Sequence, residues 1–150
     1  MPFTDAELTY LSGQLLGRLA TSHPDGTLQV NPVGFRYNSG TGTIDIAGHG
    51  MSRSRKFRNV AANGRVAFVI DDLASVDPWQ PRMLEIRGHG EAIAEPADSA
   101  YAATAPAGLD GAIIRVRPER VISFNINGPV GDPTSRRVHG RDYAQPLETS

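Results

Sequence analysis

The chain has no cysteine, which removes disulfides, a thiol nucleophile and any cysteine-based zinc site from its chemistry. No apolar run approaches the roughly 20 residues that a membrane-crossing helix needs. The opening MPFTDAELTY is acidic and polar, unlike a secretory signal, so a cytoplasmic protein with no membrane partner is expected. A formal net charge of −1 argues against a nucleic-acid partner, because such proteins spread basic groups over a face. His23, His89 and His139 are too scattered for a metal set, and no H-E-x-x-H spacing exists, so no metal is expected. There is no G-x-S-x-G elbow for a hydrolase and no G-x-G-x-x-G after a strand for a Rossmann site.

What is present suits one domain of 150 residues with a single core. Thr4-Asp5-Ala6-Glu7 fits a capping box, and Leu8, Leu11, Leu15 and Leu16 recur at helical spacing. Residues 5–16 therefore read as an amphipathic helix ended by Gly17. RLATS and TLQVNPVGFRY flank an Asp25-Gly26 turn and read as a hairpin. Pro32 confines its strand to an edge or a bend. In TIDIAG, Ile44 and Ile46 alternate with polar partners. RVAFVID is a strand, and RMLEIRGHGEAIAE is a long strand bent at Gly88 and Gly90. Residues 97–110 read as an Ala-rich connector with room for one helical turn. GAIIRVRP and RVISFNI, separated by Pro118, finish the sheet. Residues 1–128 form the domain, and 129–150 an extended polar arm. Together these elements predict a mainly β fold with minor α, a small antiparallel barrel of about six strands.

Charge is unevenly spread. HGMSRSRKFRN, residues 49–59, includes the only lysine, Lys56, and no acid lies between Asp45 and Asp71. A helix over residues 53–62, stopped by Asn63-Gly64, places free N–H groups and a positive dipole end beside Arg55 and Lys56. Ser52 or Ser54 can add a hydroxyl donor. That set suits a phosphate ester, while a merely solvated basic face is the other reading of the same residues. His49, flanked by Gly48 and Gly50, can approach a ligand or be a surface turn residue. Trp79, in a polar loop, packs on a ligand or partner or joins the core.

Taken in order, GRLATSHPDGTLQVNPVGF, TIDIAGHGMSRSRKFRNVAANGRVAFVIDD, PRMLEIRGHGEA and IRVRPERVISF resemble the pyridoxamine-phosphate-oxidase-like split-barrel superfamily. Within it the chain is similar to the branch that uses the deazaflavin coenzyme F420, and to the subgroup of dehydrotetracycline reductases of antibiotic biosynthesis. The resemblance implies a six-stranded split barrel, a homodimer, and a cofactor at the subunit interface. It assigns the cofactor phosphate to Arg55 and Lys56 with Ser54 and Asn59 beside them. It assigns the ring to the Asn31, Pro32 and Val33 backbone, the following turn to Gly48 and His49, and a wall across the dimer to Trp79. It provides no catalytic side chain. Tyr37, His49 and Tyr101 are the proton donors to consider.

The implied activity is that of an F420-dependent reductase. Hydride passes to an electron-poor C=C bond of a small-molecule substrate, such as the enone of a tetracycline-like polyketide. An FMN enzyme on the same barrel is an alternative, as is a non-catalytic protein holding a flavin-like or haem-like ligand.

Overall fold

The computed structural model describes residues 2–101, 108–126 and 133–140. Two helices, α1 (Asp5–Ser12) and α2 (Arg55–Asn63), accompany eight strands among these residues. The strands are β1 (Leu16–Ser22), β2 (Leu28–Gly34), β3 (Arg36–Asn38), β4 (Thr43–His49), β5 (Arg65–Ser75), β6 (Gln80–Ile93), β7 (Leu109–Phe124) and β8 (Thr134–Arg137). All pairings are antiparallel, in the order β2-β1-β5-β6-β7-β4-β3, with β8 added to β7. The sheet curls into an open half-barrel, bringing its edge strand β2 towards β4. Leu19, Phe68, Ile86 and Val121 stand opposite one another across β1, β5, β6 and β7. This row is buried in the core.

The capping box forms: Thr4 N–H donates to Glu7 Oε1 at 2.8 Å and Glu7 N–H to Thr4 Oγ1 at 3.2 Å. The helix is shorter than its apolar spacing predicts. It stops at Ser12 with Gly13 as its C-cap, and Leu16 already belongs to β1. Gln14 Nε2 donates to Asp72 Oδ2 at 3.1 Å and so ties the outgoing chain to β5. Leu15 is left 87% exposed, so its apolar character does not serve the core.

Two expected strands merge. β7 runs straight through Pro118, which pairs with Gly88 where the β6–β7 register shifts. A Cβ on Gly88 would lie 2.1 Å from the Arg117 carbonyl oxygen, so this irregularity needs glycine. Pro32 does lie on an edge strand, as its missing N–H requires. Within the stretch read as a C-terminal arm, residues 134–137 form β8 against β7, and positions 127–132 and 141–150 lie outside the described residues. So do residues 102–107 of the connector.

Asp45 departs from the alternation read in TIDIAG. It is fully buried, in a β4 covered on both faces over Thr43–Ile46. Arg115 reaches it from β7, with Nε to Oδ1 at 3.0 Å and Nη2 to Oδ2 at 3.2 Å. Asn38 Nδ2, Thr43 Oγ1 and the Ala100 N–H donate to the same carboxylate at 3.0, 3.1 and 3.0 Å. Burial by itself would raise the Asp45 carboxyl. The bonds from Arg115, Asn38 and Ala100 outweigh it and hold the group below the ordinary carboxylate range.

Candidate functional site

The basic stretch folds at the end of β4. Gly50 adopts φ 58°, a left-handed conformation that glycine takes without penalty, and a 3-10 turn over Met51–Arg53 leads into α2. Ser54 is the N-cap of α2. Its Oγ accepts from the Phe57 N–H at 3.3 Å and donates to the Met51 carbonyl at 2.7 Å. Ser52 is also engaged: its N–H and Oγ donate to Asp110 Oδ2 at 3.0 and 2.6 Å. The Ser52 hydroxyl leads the interactions that hold the Asp110 carboxyl below its usual range. Both serine hydroxyls expected to serve a ligand therefore shape the turn.

What the turn leaves open is charge and backbone. Arg58 N–H bonds the Ser54 carbonyl at 3.2 Å. With Phe57 also capped, the Arg55 and Lys56 N–H groups remain the open donors of this helix end among the described residues. No acidic residue lies in the first turn. Arg53, Arg55, Lys56 and Arg58 form no ion pair among the described residues, whereas Arg18, Arg82, Arg87, Arg115, Arg117 and Arg136 each meet a carboxylate. Arg55 is exposed and Lys56 half-buried. Unmatched cations around a helix N-terminus suit an anion.

The other expected residues divide. Asn59, one turn into α2, is 1% exposed, and its Nδ2 donates to Thr21 Oγ1 at 3.1 Å and Gln29 Oε1 at 3.4 Å. Gln29 Nε2 in turn donates to Asn31 Oδ1 at 2.8 Å. A continuous polar chain thus joins the basic helix to Asn31 on β2. Val33 is buried in the core and Pro32 faces outward, so neither side chain adds a polar group. Gly48 and His49 end β4 immediately before the basic turn. His49 Nδ1 lies 2.9 Å from the Gly108 carbonyl oxygen. A carbonyl only accepts, so neutral His49 carries its proton on Nδ1 and presents Nε2 as an acceptor.

Trp79 is not brought to this site within one chain. It is 65% exposed in the β5–β6 turn, at the far end of β5 from α2. At the usual rise per residue that is about 33 Å along the strand. Tyr101 lies under the Arg36 guanidinium, 4.5 Å from ring centroid to Cζ, and burial pushes its phenol up. The Tyr37 hydroxyl is buried without a partner among the described residues, and burial raises it also. Both phenols therefore stay protonated at neutral pH. No group of three or more His, Asp or Glu able to hold a metal occurs among the described residues. No helix there is long and apolar enough to cross a membrane. Gln29, the residue linking Asn59 to Asn31, carries no motif in the sequence and is visible only in the fold.

The fold is thus a mainly β half-barrel whose basic helix is tied to its edge strand through Asn59 and Gln29. The pyridoxamine 5'-phosphate oxidase family matches residues 3–125, and the chain belongs to that family. It is 42% identical over 142 residues to a 5a,11a-dehydrotetracycline/5a,11a-dehydrooxytetracycline reductase of Streptomyces rimosus, covering 95% of this chain and 94% of the relative. Among solved structures, an F420 reductase is 31% identical with a TM-score of 0.51, covering 69% of this chain and 86% of that one. A heme binding protein from Mycobacterium smegmatis shares the fold, with a TM-score of 0.64 at 20% identity over 91% of this chain and 59% of that one.

Proposed function

We propose that this chain is a reductase that binds coenzyme F420 across the basic end of α2 and the inner face of β2. Its substrate is a small molecule with an electron-poor C=C bond, of which a tetracycline-like enone is the favoured example. The observation that carries this reading is the unmatched cluster of Arg53, Arg55, Lys56 and Arg58 at a helix end with open N–H groups. Similarity to the Streptomyces rimosus reductase and to the F420 reductase supports the choice of cofactor and reaction.

When bound, the reduced deazaflavin supplies a hydride from its ring. The chain's own residues bind and orient. Arg55 contributes a planar fork and Lys56 a compact charge to the phosphate, and the open amides of the helix end add two further donors. Asn31 and the β2 backbone face the ring, while Gly48 and His49 bound it on the side of β4. Holding donor and acceptor carbons within about 3–3.5 Å is the main catalytic contribution expected of the protein. A proton reaches the product from solvent or from the Tyr37 or Tyr101 phenol, because His49 presents Nε2 as an acceptor.

The finer architecture proposed is a homodimeric split barrel with Trp79 of one subunit closing the site of the other. Exposed Leu16, Leu73, Val76 and Trp79, at the β5–β6 turn and the start of β1, support this. Titration of the apo protein with F420, FMN and FAD tests the cofactor, followed by enone reduction under each reduced form. Tighter FMN binding with FMN-dependent turnover would replace the deazaflavin. Sedimentation at micromolar concentration tests the dimer, and a species of 16.1 kDa would remove it.

A further inference from the structure

Side-chain amides have a donor end and an acceptor end, and in a chain of them each orientation constrains the next. Buried Asn59 spends its NH2 group on Thr21 Oγ1 and Gln29 Oε1, at 3.1 and 3.4 Å. Gln29, having presented its oxygen to Asn59, turns its nitrogen to Asn31 Oδ1 at 2.8 Å. The oxygen of Asn31 is thereby occupied, and its NH2 is the end left without a partner among the described residues. Gln29 is half-buried on the inner face of β2, opposite Thr21 in register, two residues before Asn31. In this orientation Asn59 Oδ1 is left buried without a partner among the described residues, and the edge-strand amide is aligned from the second turn of the basic helix.

We infer that Gln29 is a positioning residue that fixes the Asn31 amide with its donor end towards the ligand. Strand β2 then selects a flat heteroaromatic ring by the acceptors on its edge, such as ring carbonyl oxygens or an anionic ring nitrogen. This rests on the cofactor site proposed above and adds a determinant of which ring edge faces β2. It also links the two ends of the site. The helix that carries the phosphate-binding cations aligns, through Asn59 and Gln29, the group that reads the ring.

The test uses Gln29→Glu. A carboxylate still accepts from Asn59 but cannot donate to Asn31, so Asn31 must rotate its amide and present oxygen to the ligand. In the cofactor-free protein, the side-chain NH2 signals of Asn31 are expected to shift and become protected from water exchange, while those of Asn59 stay protected. The dissociation constant for F420 is expected to rise tenfold or more, and that loss should fall below twofold when Gln29→Glu is made in an Asn31→Ala background. Gln29→Met, which carries no charge, should give a smaller loss and control for the added carboxylate. Unchanged Asn31 signals in Gln29→Glu would overturn the inference, as would an affinity loss that persists undiminished without the Asn31 amide. A wild-type chain that binds neither F420 nor FMN, yet whose Asn31 amide turns as expected, would overturn the cofactor assignment and retain the relay.

Discussion

The two ends of β4 each hold a group of charges, and the two are built on opposite rules. Near its start, Asp45 and Arg115 are 0% and 5% exposed, and Arg115, Asn38, Thr43 and Ala100 all donate to the carboxylate, while Asp98 also pairs with Arg115. Past its end, Arg53, Arg55, Lys56 and Arg58 form no ion pair among the described residues, although Ser52 holds the Asp110 carboxylate nearby, and two amides stay open. A buried charge must be matched by its own chain, because nothing else will reach it. An exposed charge needs no partner to fold, so an unmatched cluster is free to serve a ligand. The contrast separates charge that supports the fold from charge the fold leaves unpaired among the described residues.

The largest effect should come from the matched centre. Arg115→Leu leaves Asp45 buried and uncompensated, and a stability loss of about 3–5 kcal/mol is expected by denaturant unfolding. Acid should reproduce part of that loss in the unaltered chain. Because the folded Asp45 lies below its unfolded value near 3.9, its stabilisation is complete above that value. It is lost as pH falls through the lower folded value. Asp72, lowered first by its bond from Arg82, and Asp110 titrate with the same sign. Melting temperatures measured from pH 6 downwards should fall below about pH 4, and less steeply in Arg115→Leu; an equal slope in both chains would take Asp45 out of the account.

The open turn should answer differently. Arg55→Ala and Lys56→Ala are each expected to weaken cofactor binding by about 1.5–3 kcal/mol while leaving the unfolding midpoint in place. Their effect should shrink as salt rises, whereas the Asp45 centre should be insensitive to it. Unchanged affinity in both variants would reduce the cluster to a solvated face. The smallest effect belongs to Ser54→Ala. As an N-cap its loss should cost about 1 kcal/mol of stability. Affinity should fall only as far as the helix end loosens; a loss as large as that of Lys56→Ala would give Ser54 a direct contact.

Local rules were legible in the sequence and distant pairings were not. The Thr4–Glu7 box, the Asn63-Gly64 stop, the Pro32 edge and the Gly88 irregularity each follow from one residue's own stereochemistry, and all four appear in the fold. Leu15 and Leu16 kept helical spacing, but apolar periodicity cannot reveal that Gly13 ends the helix first. Pro118 reads as a break, yet its partner strand supplies the accommodation at Gly88. Asp45 and Arg115 lie 70 positions apart, and nothing near either marks it as buried. At the candidate site the basic turn was legible from composition. Gln29 was not, because its meaning depends on neighbours 30 residues away on a helix.

The link between Glu7 and Arg136 bears on the order in which the protein is made. Glu7 is 4% exposed and receives Arg136 from β8, whose guanidinium also bonds the Pro2 carbonyl at 2.9 Å. The two partners are 129 positions apart, so at typical elongation rates roughly 6–26 s separate their synthesis. Throughout that interval the first helix carries an acid it cannot bury at low cost. The first helix is thus among the last elements to settle, and a nascent chain stopped before β8 should keep that helix undocked.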